Sequence, residues 1–195
     1  MRSHLILASH SPRRRELLAR AGFQFDIVSA SVIEKFDVDL TLRELTLWNA
    51  RRKAEQVAHL YPEAVVLGAD TLVALDGQVI GKPRDLREAA LILRRLSGHV
   101  HEVCSAVSLH HLALARSTSF HEISRVRFRP LNKQKIDNYL AKVNPLDKAG
   151  AYAAQGHGAV IIADIQGSFT NVVGLPMERT IAQLRQFGIK PRRVP

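Results

Sequence analysis

Cysteine is nearly absent, Cys104 being the only one in 195 residues. A lone thiol excludes an internal disulfide framework and fits a reducing compartment, so a cytoplasmic setting is expected. Long apolar runs are missing too, and none approaches the length that crosses a bilayer. The opening MRSHLILASHSPRRR holds an apolar stretch too short for a secretory signal, and arginines follow it instead of a small-residue cleavage site. There is no Walker A sequence and no serine nucleophile elbow. The nine histidines show no metal-ligand spacing, and His99/His101 and His110/His111 read as surface groups flanking a strand. Acidic residues are in deficit, 18 against 28 Lys plus Arg, for a formal charge of +10. That balance favours polyanionic partners (nucleotides, nucleic acid or acidic surfaces) without choosing among them.

What is present suits a globular chain, 46% hydrophobic and 24% charged, able to form a real core in a single domain over residues 1–195. Helical and strand patterns alternate with no repeat and no separating linker, which argues for an α/β fold.

Residues 5–18, LILASHSPRRRELL, organise the reading. Leu5-Ile6-Leu7-Ala8 is a buried-strand run. Ser11 suits a helix N-cap, Pro12 the first helical position and Gly22 the position past the helix end. Arg13, Arg14 and Arg15 then fill a first turn where a carboxylate is preferred. A bound anion would reverse that conflict, since N–H groups and guanidinium forks would converge on phosphate oxygens. The alternative is a solvated basic turn whose arginines point apart.

Further along, residues 23–28 alternate like a half-buried strand, and residues 29–39 form a loop carrying Glu34, Asp37 and Asp39. Thr41-Leu42-Arg43-Glu44 is a capping box opening a helix to about residue 60, with Leu45, Trp48, Ala50, Ala54 and Val57 on its buried side. Lys53 lies among them and either snorkels or reaches into a cleft. Val65-Val66-Leu67 reads as a central strand, Gly68-Ala69 as a close backbone approach, and Asp76-Gly77 as a hairpin turn. Asp70 then falls just past the strand's carboxyl end, where α/β sheets place their ligand crevices. A carboxylate there can take a proton from water or hold a divalent metal; the alternative is a turn Asp bonded to its own backbone.

Residue 85 opens another capped helix, and residues 103–109 and 120–129 alternate as strands. The second bears Arg125, Arg127 and Arg129 on what reads as an exposed face, without interleaved aromatics for base stacking. Cys104 reads as packing. A helix with Ile136, Tyr139, Leu140 and Val143 inward follows. The Gly-rich residues 147–176 enclose a short buried strand at 159–162, and residues 176–187 form the last helix. The residues alone thus give cationic groups facing a carboxylate, a pairing suited to attack of water on a polyphosphate.

Taken in order, LASHSPRRRELL, LGADTLV, GKPRD, LSGHVHEV, DKAGAYAAQG and GSFTNVVGLP resemble the Maf family of nucleoside triphosphate pyrophosphatases. The resemblance implies an elongated mixed α/β sheet with flanking helices, two lobes around a central cleft, related to the inosine triphosphate pyrophosphatases. It implies hydrolysis of a nucleoside triphosphate to monophosphate and pyrophosphate, a divalent cation of the Mg²⁺ or Mn²⁺ type, and a homodimer. Asp70 would be the proton acceptor; Arg14, Lys53 and Lys82 would hold phosphate. Arg13, Thr71 and Gln155 occupy the three positions that separate the dTTP/UTP type from the 7-methyl-GTP type, which has Trp, Gln and Glu there. An amide at 155 offers a pyrimidine edge both donor and acceptor, whereas a carboxylate only accepts. Many members carry Asp-Val-Asp-Glu where this chain has Ser31-Val32-Ile33-Glu34, leaving Glu34 as the metal candidate. Cys104-Ser105 and Ala153-Ala154 replace a Tyr-Thr and a Gly-Ile pair as conservative packing changes. Two rivals stand beside this reading: a 7-methyl-GTP pyrophosphatase, and a non-catalytic basic regulator binding nucleic acid or the division machinery. Charge alone favours the regulator; Asp70 and Gln155 favour the enzyme, for which nucleic acid is not an expected partner.

Overall fold

The Leu5-Ile6-Leu7 run is strand β1 (Leu5–Leu7), buried at all three positions. It pairs in parallel with β2 (Asp26–Ile27) on one side and β3 (Val65–Leu75) on the other, Leu5 opposite Val65 and Leu7 opposite Leu67. A strand covered on both faces needs such a continuous aliphatic run. The computed structural model describes residues 4–34 and 39–192; Asp37 lies outside them.

Seven strands among the described residues form one mixed sheet. The others are β4 (Gln78–Ile80), β5 (Val100–His111), β6 (Arg116–Phe128) and β7 (Ile162–Gln166). Their order is β2-β1-β3-β5-β6-β7, with β4 attached to β3. The helices are α1 (Pro12–Arg20), α2 (Leu42–Leu60), α3 (Leu86–Leu96), α4 (Lys133–Leu140), α5 (Gly158–Ile161), α6 (Phe169–Val173) and α7 (Met177–Gln186). The expected α/β class holds. No helix of the described residues is long and apolar enough to cross a membrane.

The chain divides into two compact units, each discontinuous in sequence. The first comprises the residues through Asp70, Ser105–Glu122 and the residues from Gly174 onward. Leu5, Leu7, Val65 and Leu67 pack there with Leu18 of α1 and Leu184 of α7, while Ile6 and Val66 pack with Val57 and Ala58 of α2. The second comprises Thr71–Cys104 and Ile123–Val173. Its core joins Val73, Leu93, Val126 and Phe128 to Ile136, Tyr139 and Tyr152.

Local signals account for most element boundaries. Ser11 caps α1, Thr41 and Glu44 form the reciprocal capping box of α2, and the Asp85 carboxylate accepts the Glu88 N–H at α3. Asp76 and Gly77 take φ of 51° and 76°, the left-handed pair that a two-residue hairpin turn requires, and β3 folds back antiparallel onto β4.

Several expectations are corrected. Residues 23–28 contribute only the two-residue β2, whose side chains are both exposed; Phe23 is buried, but against the core rather than as part of a strand. Trp48 is 49% exposed instead of buried. Residues 159–162 are not a strand. α5 takes 158–161, with the Gly158 N–H closing onto the Gln155 carbonyl, and β7 begins at Ile162. A four-residue apolar run is too short for its period to decide between the two. His101, His110 and His111 are buried, because β5 runs twelve residues and carries them into covered positions.

Candidate active site

Helix α2 lies against β3 at Gly68. A Cβ there would come within 2.5 Å of the Ala50 carbonyl oxygen and the Ala54 nitrogen, so only glycine permits the approach. The close approach read from Gly68-Ala69 is therefore to a helix of the same unit. Side chains two apart on a strand share a face, which places Asp70 on the α2 side with Gly68. Lys53, between Ala50 and Ala54, then reaches the carboxylate: its Nζ donates to Asp70 Oδ1 at 2.7 Å and to Glu34 Oε1 at 2.7 Å. Of its two expected fates, Lys53 takes the inward one, its side chain only 11% exposed and that of Asp70 4%.

Asp70 itself is not past the strand end. β3 runs unbroken to Leu75, and Asp70 sits in its middle between buried Ala69 and half-buried Thr71. The Gly68-Ala69 pair does not end the strand; Gly68 serves packing against α2. Asp70 Oδ2 is buried and has no hydrogen-bond partner among the described residues. A carboxylate oxygen left in that state is costly unless something else uses it.

The three arginines diverge in burial. Arg15 is exposed, Arg13 half-buried and Arg14 buried. Arg14 Nε donates to the Gly174 carbonyl at 2.8 Å and Nη1 to Ser9 Oγ at 3.1 Å. Ser9 Oγ also accepts the Ser11 N–H at 3.2 Å, so one hydroxyl ties the strand end, the helix cap and the guanidinium together. Burial pulls the Arg14 guanidinium down from its ordinary value, while the carboxylates of Asp70 and Glu34 push it back up and Arg13 adds to the depression. Arg14, Glu34, Lys53 and Asp70 thus form one electrostatically coupled group in the first unit.

Thr71, Lys82 and Gln155 belong to the second unit. Thr71 is half-buried in β3, Lys82 is exposed beyond β4, and Gln155 is half-buried before α5. Gly81, next to Lys82, accepts the Gly150 N–H at 3.1 Å, which ties the GKPRD segment to the AGAYAAQG segment. Gly150 and Ala151 take φ of 72° and 61°, an unusual pair of consecutive left-handed residues.

Sequence reasoning missed three kinds of participant. Ser9 looked like turn punctuation, though its place between the strand and the cap was its signal. Gly174 carried no signal for a carbonyl 160 residues from its donor. Asn171 is wholly buried and donates to the Val103 carbonyl at 3.0 Å and to Ser124 Oγ at 2.9 Å, holding the GSFTN segment.

The basic stripe is exposed, as read, at Arg125 and Arg127 of β6 and at Arg129 just past its end. Cys104 is buried. Among the described residues no cluster of three or more His, Cys, Asp or Glu could hold a metal ion.

The family model for Maf-like proteins matches residues 4–187. A dTTP/UTP pyrophosphatase of Bacillus pumilus is 44% identical over 97% of this chain and 99% of its own length. Proteins of the same name from Carboxydothermus hydrogenoformans and Symbiobacterium thermophilum are 46% and 47% identical, each over 94% of this chain. A solved HAM1 protein from Coxiella burnetii is 14% identical over 65% of this chain and 73% of that one, with a TM-score of 0.43, too low for a shared fold to be inferred from it. Both the matched span and the identity over nearly full length place this chain in the Maf family.

Proposed function

We propose that this chain is a nucleoside triphosphate pyrophosphatase acting on dTTP and UTP, with base-modified pyrimidine triphosphates as further substrates. The observation that carries the reading is the buried Asp70, bonded through Oδ1 to Lys53 and left with Oδ2 unpartnered among the described residues, beside the buried Arg14. The activity named for the relatives supports it.

Asp70 Oδ2 accepts a proton from water, and the water oxygen attacks the α-phosphorus. The α–β phosphoanhydride bond breaks, pyrophosphate leaves, and the added oxygen stays on the monophosphate. The proton then leaves Asp70 for solvent. Lys53 holds the carboxylate in place and, with Arg13, Arg14 and Lys82, neutralises triphosphate charge as it moves toward the leaving group. Thr71 and Gln155 bear on base choice.

Two carboxylates sharing one ammonium suit a hard divalent cation of the Mg²⁺ or Mn²⁺ type, which takes one or two carboxylates and fills its shell with water and phosphate oxygens. Glu34, beside Asp70, would hold it, and its contribution would be to neutralise phosphate charge. The lone buried cysteine supports a cytoplasmic setting. The homodimer rests on the resemblance alone.

Pyrophosphate release from a nucleotide panel, with and without Mg²⁺ or Mn²⁺, tests the reading. Turnover that favours dTTP and UTP over the rest of the panel supports it, and a preference for 7-methyl-GTP instead would transfer the chain to the sister type. The formal charge of +10 and the exposed Arg125 and Arg127 of β6 favour a basic regulator. That reading requires no turnover and nucleic-acid binding that falls steeply with salt.

A further inference from the structure

In the second unit a short backbone strap, residues 150–156, carries Gln155. Its ends need glycine: Gly150 has φ of 72° and Gly156 of 60°. Ala151 sits between them at φ of 61°, a conformation that a residue with a Cβ holds only when its surroundings impose it.

Those surroundings are aromatic and polar together. Ala153 N–H donates to the Tyr139 hydroxyl oxygen at 3.0 Å, two residues before Gln155. The Tyr152 hydroxyl is hydrogen-bonded to His101 Nε2 at 2.8 Å. The rings of His101, Phe128 and Tyr152 meet edge to face in all three pairs, with centroids 4.8 to 5.4 Å apart. Aromatic pairs favour such edge-to-face geometry, which fixes the Tyr152 ring and with it the backbone it hangs from. Burial holds both phenols protonated, pushing Tyr139 and Tyr152 up from their ordinary value. On the far side of Gln155 the Gly158 N–H closes onto the Gln155 carbonyl at 3.2 Å. The backbone at 155 is therefore held from both sides, and Gln155 is the only residue of the strap besides Tyr152 with a polar side chain.

We propose that Tyr139 and the His101–Tyr152 pair are positioning residues for Gln155, and that nucleobase discrimination depends on them although none of them touches the base. The proposal rests on the assignment of Gln155 to base choice. An amide discriminates by presenting donor and acceptor at set places, so discrimination requires a fixed backbone beneath it. Tyr139 lies on α4 and His101 on β5, and both are buried.

The test compares Tyr139→Phe, Tyr152→Phe and Gln155→Ala with the parent for kcat and KM on dTTP and on CTP, whose bases differ at the pyrimidine edge and whose difference at the sugar 2′ position cancels between parent and variant. Both Tyr→Phe changes keep the ring and remove only the hydroxyl, so either can carry the test if the other fails to fold by circular dichroism. The expected result is a fall of about tenfold in the dTTP-over-CTP ratio of kcat/KM for each Tyr variant, the cost of one orphaned buried hydrogen-bonding group. The loss should appear in the KM for dTTP, with kcat nearly unchanged. Combining Tyr139→Phe with Gln155→Ala should lower the ratio no further than Gln155→Ala alone. If Gln155→Ala lowers the ratio and both Tyr variants leave it unchanged, the positioning role is overturned while the base assignment stands. A uniform loss of activity on both nucleotides would equally overturn it, marking a merely structural role. Should Gln155→Ala leave the ratio unchanged, the base assignment fails and the proposal falls with it.

Discussion

The ammonium of Lys53 lies 2.7 Å from Asp70 Oδ1, on a helix brought against the strand by a glycine two residues before that carboxylate. Helix, strand and charge pair are one construction. Three consequences of it can be measured, and a fourth prediction comes from the buried His101.

Replacing Asp70 with Asn keeps the shape and removes the proton acceptor. Pyrophosphate release should fall by about 10²- to 10⁴-fold with circular dichroism unchanged. Turnover within a few fold of the parent would show that the proton goes elsewhere.

Lys53→Met keeps the aliphatic stem and strips the charge, leaving the nearly buried Asp70 carboxylate without its cation. Breaking such a pair from one side should cost about 3 kcal/mol, read as a drop in Tm of roughly 6–12 °C for a chain of this size. Adding Asp70→Asn should restore much of that stability without restoring activity, since the uncompensated charge is then gone.

Gly68→Ala should act through backbone collision. The new methyl would meet the backbone of α2 at 2.5 Å, which no rotamer change relieves. The expected loss is about 3 kcal/mol, toward the upper end of overpacking costs, and activity should fall because Lys53 and Asp70 separate. A denaturant midpoint equal to that of the parent would contradict the packing described.

Burial pushes the His101 imidazole down from its ordinary 6.5 to about 4. As pH falls through 6.5 the unfolded chain takes up a proton that the folded chain refuses until about pH 4. The stability owed to a neutral His101 is therefore complete above 6.5 and is lost between 6.5 and 4, a total of ~3 kcal/mol. Urea midpoints measured across that interval should slope downward toward acid, and His101→Phe should flatten the slope.

Where signals were local, the sequence could be read. Thr41 and Glu44, Asp76 and Gly77, and Ser11 before Pro12 each carry their chemistry within four residues, and each element begins or turns as they dictate. The α/β class follows from the alternation of such elements. Asp70 was misplaced past a strand end, because the Gly-Ala pair is here the flat surface on which a helix rests and β3 runs on to Leu75. The histidines of β5 were misread because burial of a polar ring depends on partners such as Tyr152 and Ser108, which sequence distance or side-chain geometry conceals. Trp48 was misread because an aromatic on an amphipathic helix need not face inward. The Lys53 bridge was half visible: the lysine stood on the apolar face, but its two acceptors lie 17 and 19 residues away along the chain.

The bond from Arg14 to the Gly174 carbonyl spans 160 positions. A ribosome makes the donor 160 residues before the acceptor. Until Gly174 is translated, the Arg14 guanidinium of the nascent polypeptide lacks its carbonyl partner. This corner of the molecule therefore closes only once Gly174 has been made, and truncations that remove Gly174 should leave it open however much of the preceding chain is retained.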